Sequence, residues 1–273
     1  MSRAVGRRDD GQARRLTSSV GYQSQPKFSP DGSTIAFTGN YDGNDDIYVV
    51  PASGGEPTRL TWHPGYDKVI DWQPDGKSVR FQSRRESRTG RDLKLFTVPV
   101  AGGLPSRIVL PTGGLSSYSP DGKKIAYNRI SRENRTWKRY KGGMAQDVWI
   151  YDFEKNDTKR ATDWVGSDNF PMWHGDTIYY TSDQTGRLQI WAYETATGEN
   201  RQVTEHDEYD VKHPSMGPDA IVYENGGWLY VLDLATEQTR KVTVSLRSDN
   251  VWSRPAWRCW GRGHRSMARD RSA

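Results

Sequence analysis

Five times along the chain an apolar residue and an aromatic one stand two positions apart, just after a turn. The pairs are Ile35/Phe37, Val79/Phe81, Ile125/Tyr127, Ile178/Tyr180 and Ile221/Tyr223. This alternation is the period-2 mark of a strand with one face in a core. The turn before it reads "SPDG" at Ser29 and Ser119, "QPDG" at Gln73, "HGD" at His174 and "GPD" at Gly217. Pro presets the turn and Gly supplies a positive φ. Successive turn aspartates, from Asp31 through Asp75, Asp121, Asp176 and Asp219, lie 44, 46, 55 and 43 residues apart.

A second strand follows each time: "IYVV" at 47, "LFTV" at 95, "VWIY" at 148, "IWAY" at 190 and "LYVL" at 229. After a small-residue hairpin, a short last strand ends in Thr: "RLT" at 59, "RAT" at 160, "QVT" at 202 and "KVT" at 241. The unit near residue 108 departs, reading "RIV". Each unit is therefore a four-stranded meander of about 45 residues, the period of a β-propeller blade. Blades cannot bury both faces alone and stack about an axis. The pattern predicts an all-β propeller with five complete blades. "RRLT" at Arg14–Thr17 adds part of a sixth, so the six-bladed ring is incomplete. The propeller is expected over 14–252. Irregular basic segments are expected at 1–13 and 253–273, with "SRPAW" at 253 resembling a further opening strand.

Composition supports this picture. The chain has 273 residues, of which 34% are hydrophobic and 11% aromatic, with 11 Trp and 14 Tyr to fill the wedges between blades. The formal charge of +5 sits at the ends. Residues 1–15 hold five Arg and two Asp, and residues 258–273 five Arg and one Asp, which leaves about −2 for the body. No nucleic-acid partner is expected. No run of 18 apolar residues exists, so no membrane partner is expected, and the first residues lack the apolar core of a secretory signal. The single Cys259 excludes an intrachain disulfide and fits a reducing compartment.

Candidate chemistry was sought against this repeat. No G-x-S-x-G occurs; "GGLSSYSP" at 113 leads into a blade strand. "EHDEYDVKH" at 205 gathers His and acids, yet its "H..YD" spacing recurs at His63–Asp67, as a repeat position would. "YDGNDD" at 41 lacks the order of a calcium loop. No metal and no cofactor are expected. An Asp follows the terminal Thr by six residues at Asp67, Asp168 and Asp210. With Tyr66 and Tyr209 these residues are candidate binding groups at a channel rim, where carboxylates would favour cationic peptide ends. The alternative role is capping of turn N–H groups. The long insertion "SRENRTWKRYKGGM" at 131 is basic, and its Arg135, Trp137, Arg139 and Tyr140 are candidates for docking another domain or subunit.

The stretch "RRLTSSVGYQSQPKFSPDGSTIAFTGNYDGNDDIYVVPASGGEPTRLTWHPGYD" resembles the N-terminal six-bladed propeller of the tricorn protease family. "HPSMGPDAIVYENGGWLYVLDL" resembles that propeller's last blade, and the resemblance covers about 14–257. It implies a large cytoplasmic serine peptidase, assembled as a homo-hexamer, that degrades oligopeptides. Its propellers would filter the routes into and out of the catalytic chamber. The catalytic Ser, His and Glu belong to later domains, so none is expected in this chain. Expected partners are peptides and other domains or subunits. The alternative is a protein-binding scaffold propeller of the TolB type.

Overall fold

The computed structural model describes residues 4–6, 12–18, 20–87, 93–110, 112–130 and 139–246. Among them there is no helix. Strands β1 (Ala4–Gly6) and β2 (Gln12–Arg15) precede the first repeat. Blade 1 comprises β3 (Gln23–Phe28), β4 (Thr34–Asn40), β5 (Asp45–Pro51) and β6 (Thr58–Arg59). Blade 2 is β7 (Asp67–Trp72), β8 (Ser78–Ser83), β9 (Lys94–Pro99) and β10 (Ser106–Arg107). Blade 3 is β11 (Ser116–Tyr118), β12 (Lys124–Asn128), β13 (Val148–Asp152) and β14 (Asp157–Arg160). Blade 4 is β15 (Asp168–His174), β16 (Thr177–Ser182), β17 (Gln189–Glu194) and β18 (Asn200–Gln202). Blade 5 is β19 (Val211–Met216), β20 (Ala220–Asn225), β21 (Trp228–Asp233) and β22 (Thr239–Val242), and β23 (Ser245–Leu246) follows.

The five blades are four-stranded antiparallel meanders arranged as a propeller, as the repeat predicts. The first strand of each blade packs on that of the next: β3 on β7, β7 on β11, β11 on β15 and β15 on β19. These strands line the axis. A separate three-stranded sheet has the order β1-β2-β23. In it β2 runs antiparallel to β1 and parallel to β23, with Gln12 opposite Ser245. Strand β1 thus lies in the stretch expected to be irregular. The "SRPAW" segment and the tail from 253 lie outside the described residues.

The turn aspartate does what its sequence suggests. Asp31 accepts hydrogen bonds from the Ser29 and Ser33 hydroxyls and from the Ser33 N–H. These bonds hold its pKa down to about 2. Gly32 follows at φ +71 and donates to the Ser29 carbonyl at 2.8 Å. The terminal Thr has a role too. Thr61, Thr162 and Thr204 accept at Oγ1 from the N–H of Ile47, Val148 and Ile190, which begin or nearly begin the third strand, at 3.0, 3.0 and 2.9 Å. Each hydroxyl ties the edge of its blade to the strand inside it.

The core lies between blades. Ala36, Ile47, Val49 and Leu60 of blade 1 meet Val69, Trp72, Val79 and Phe81 of blade 2. Equivalent clusters join blades 2 and 3, 3 and 4, and 4 and 5. The other face of blade 1, with Ile35, Phe37, Tyr48 and Val50, is packed by Leu16 and Tyr41. The other face of blade 5 is open: Val222 and Leu229 are 41% and 42% exposed.

The first strands of blades 1, 4 and 5 carry a β-bulge in which two residues, Gln25-Pro26, Phe170-Pro171 and His213-Pro214, face one on the second strand. Gln25, Phe170 and His213 have φ of 45, 57 and 50, in the left-handed region. Pro has no N–H for a ladder, so it sits where pairing is already interrupted.

Candidate functional site

A cleft of about 880 Å³ opens beside blade 3, where the long insertion leaves and rejoins the chain. Residues of the second-to-third-strand connection form one wall, including Gly142, Gly143 and Gln146. Arg129 and Trp149 form another, with the guanidinium 5.1 Å from the ring centroid. Arg160 and Trp164 come from the last strand of blade 3 and the connection after it. Arg160 pairs with Asp147 at 2.7 Å, and Lys141 lies 5.4 Å from the Trp164 ring. The Trp164 indole N–H donates to Asp183 Oδ1 at 2.7 Å. That contact needs Gly166, where a Cβ would come within 2.2 Å of both Asp183 Oδ1 and Trp164 Nε1. The cleft is thus lined by indole faces and cations, a surface suited to an extended chain with carbonyl or carboxylate acceptors.

Below it, Asn128 Nδ2 donates to the carbonyls of Asp147 and Asp168 at 2.9 and 2.8 Å. The Asp168 N–H donates to the Gln146 carbonyl at 2.7 Å. The Asp168 side chain has no exposure, and neither carboxylate oxygen has a hydrogen-bond partner of good geometry. Burial pushes its pKa up to about 7. The nearby Ser182 and Thr162 hydroxyls offset part of this, and the charges of Asp147 and Asp183 add to the rise.

The other sequence-derived candidates are dispersed. Among the described residues no three His, Cys, Asp or Glu side chains gather as metal ligands would. Asp67 has no exposure and receives a hydrogen bond from Arg85 Nη2 at 2.5 Å. Burial raises its pKa, while Ser83 and Arg85 oppose the rise. Asp210 is 8% exposed and accepts from the Leu188 N–H at 3.2 Å, a capping bond. Tyr66 lies between the cations of Lys68 and Arg84, at 5.1 and 4.5 Å. Tyr209 is exposed and lies over Gly226, where a Cβ would meet the ring at 2.6 Å. Arg139 donates from Nε to the Gly186 carbonyl of blade 4 at 3.1 Å, and the Tyr140 hydroxyl sits against Gly142. Arg135 and Trp137 lie outside the described residues.

Sequence reasoning did not select Arg129, Trp149, Arg160 or Trp164. The available signal was position for two of them: Arg129 and Trp149 lie close to the insertion in sequence, whereas Arg160 and Trp164 carry no such signal.

Comparison with known proteins follows the same line. The family described as "Tricorn protease N-terminal beta propeller domain" matches residues 5–238. The tricorn protease homolog 1 of Streptomyces coelicolor is 28% identical over 89% of this chain. The tricorn protease homolog of Saccharolobus solfataricus is 25% identical over 88%. The chain spans 23% of the length of each relative. Among solved structures, the tricorn protease superposes with a TM-score of 0.74 at 23% identity, over 86% of this chain and 24% of that one. TolB from Agrobacterium tumefaciens superposes with a TM-score of 0.68 at 18% identity, over 85% and 84%. At these identities the superpositions speak for the fold.

Proposed function

Because the chain belongs to the tricorn protease N-terminal β-propeller family, we propose that it is the non-catalytic propeller portion of a tricorn-like peptidase. In this reading it receives oligopeptides, governs their passage and contacts other domains or subunits of a cytoplasmic assembly. The observation that carries the reading is the cleft at Arg129, Trp149, Arg160 and Trp164. Its aromatic faces would take peptide side chains, and its guanidinium groups would take backbone carbonyls or a carboxylate. The basic insertion that follows Ile130 in sequence, with Arg135, Trp137, Arg139 and Tyr140, would be the docking element for a neighbouring domain.

The six-bladed arrangement belongs to the same reading. The sheet of β1, β2 and β23 would be part of a sixth blade, and the open face of blade 5 would be covered by the rest of it. A TolB-type scaffold that binds a folded protein is the second reading, favoured by that exposed face.

The test is a titration of the chain with fluorescently labelled oligopeptides of six to ten residues or so, read by anisotropy. Saturable binding that weakens at least about fivefold in Arg129→Ala and Trp164→Phe supports the peptide reading, on the scale of one charge-assisted contact. Binding that is absent, or equal in both variants and the parent chain, overturns it.

A further inference from the structure

The residues two positions before the turn of each first strand are Lys27, Asp71, Ser117, Met172 and Ser215, of which Met172 packs into the cluster between blades 4 and 5. Lys27 reaches across. Its ammonium donates to Ser215 Oγ at 3.0 Å, linking the first strands of blades 1 and 5. Its carbonyl accepts from the Trp72 indole N–H at 2.9 Å, which fixes the strand it stands on.

A second cation lies beside it. In the second strands, the partners of these residues are Ala36, Arg80, Ala126, Tyr179 and Val222. Arg80 therefore stands where the other blades have an uncharged residue. Its side chain has no exposure. Nη2 donates to the Ser116 carbonyl at 2.8 Å and lies 3.8 Å from Asp71 Oδ2, and the guanidinium stacks 4.7 Å from the Tyr118 ring centroid. Nε and Nη1 are enclosed with no hydrogen-bond partner.

The charges do not balance. Arg80 repels the Lys27 ammonium, and among the described residues Asp71 is the carboxylate that acts on both. Ser117, Met172 and Ser215 bring no second acid. Among the described residues Lys27 makes no ion pair. Arg80 is enclosed and Lys27 is half-buried beside it, and two cations without full compensation are relieved by proton loss or by an anion. Burial already pushes Lys27 toward the neutral form.

We propose that the axial channel holds one compact monovalent anion, a halide or a free carboxylate, seated against Lys27 Nζ and Ser215 Oγ in the field of Arg80. One negative charge matches the excess. The 3.0 Å link between Lys27 and Ser215 favours an ion small enough to share both groups. This site is separate from the cleft and does not depend on peptide passage.

The test uses the whole chain in two arms. Crystals grown with bromide as the only halide are measured at the bromine absorption edge, and a second set is grown in formate without halide. In solution, melting temperature is compared at constant ionic strength in gluconate, chloride, bromide and formate. We expect an anomalous peak in contact with Lys27 Nζ, or formate density at the same place, and these two results separate the halide from the carboxylate. We also expect a rise of about 2–4 °C over gluconate in whichever anion binds. The rise should vanish in Lys27→Met and shrink in Ser215→Ala, a milder variant that keeps every charge. Water alone at Lys27 in both crystal sets overturns the proposal. An anion-dependent rise that survives unchanged in Lys27→Met does so too.

Discussion

Asp67 and Asp168 occupy the same position in blades 2 and 4, each opposite a serine of the second strand, and a guanidinium sits on Asp67 alone. The register pairs are Asp67 with Ser83 and Asp168 with Ser182. Two residues after that serine blade 2 has Arg85, which reaches the carboxylate, and blade 4 has Gln184. The backbone N–H groups of Arg85 and Gln184 both donate to the serine hydroxyl, at 3.1 and 3.4 Å. One side chain therefore separates a paired buried carboxylate from one that burial drives toward its neutral form.

This difference predicts a pH dependence. The Asp168 pKa is raised from 3.8 to about 7 by burial. Between those values the folded chain keeps a proton that the unfolded chain has released. The Asp168 contribution to stability is therefore fully present below about pH 4, declines as pH rises through about 7, and is flat above. Asp168→Asn removes that decline. In urea melts the variant should gain on the parent chain with rising pH, by at most about 4 kcal/mol at about pH 8. An equal slope with pH in both chains would show that Asp168 titrates normally.

Gln184→Arg should supply the missing cation. It should lower the Asp168 pKa and stabilise the chain at about pH 8 by about 1–3 kcal/mol, the range for a hydrogen bond to a charged group. Carbon-detected NMR of the Asp168 carboxyl reads the pKa directly. No change in either quantity would mean that the new side chain points away.

The terminal threonines should be worth more than a surface position. Thr204 is 2% exposed, accepts from the Ile190 N–H and donates to Gln189 Oε1 at 2.9 Å. Thr204→Val keeps the shape and leaves a buried N–H without its acceptor, at a cost of about 1–3 kcal/mol in a denaturant titration. Thr243, at the equivalent place after blade 5, is exposed, and its valine variant should cost less than about 0.5 kcal/mol. Equal costs at the two sites would remove the edge-tying role.

The open face of blade 5 predicts association. Val222 and Leu229 expose apolar surface on a blade face of a kind that monomers seldom carry. Light scattering of the chain should show a concentration-dependent mass, and Leu229→Lys with Val222→Thr should shift it toward the monomer. A parent chain that is monomeric at high concentration would show that the face is covered from within.

The blade register could be read from sequence because each local signal repeats and has one physical meaning. Asp31 and Gly32 make the same turn wherever they recur, and Ile35/Phe37 cannot change face without losing the core. The terminal Thr was visible as a letter, but its partner, an N–H fourteen residues earlier, appears only with the pairing. The left-handed residues before Pro26, Pro171 and Pro214 were hidden because pre-proline residues ordinarily favour extended backbone. Arg80 was hidden because the period-2 pattern marks Val79 and Phe81 and assigns the residue between them to the other face. In a propeller both faces are interior, so that position carries a buried charge. The cleft was legible only through the insertion beside it, since its arginines and tryptophans come from separate strands and connections of blade 3.

Because no apolar cluster among the described residues spans more than two neighbouring blades, they share no single centre whose loss would release all parts at once. Opening is then a matter of nearest neighbours, and it starts where a blade has one neighbour instead of two. Blade 5 is held on its Met172 and Tyr179 side and bare on its Val222 side, whereas blade 1 is covered on both. Amide hydrogen exchange should accordingly run as a gradient around the ring, fastest in Trp228–Asp233 and slowest in the strands of blade 2. Loss of structure would travel from blade 5 toward blade 1, one interface at a time.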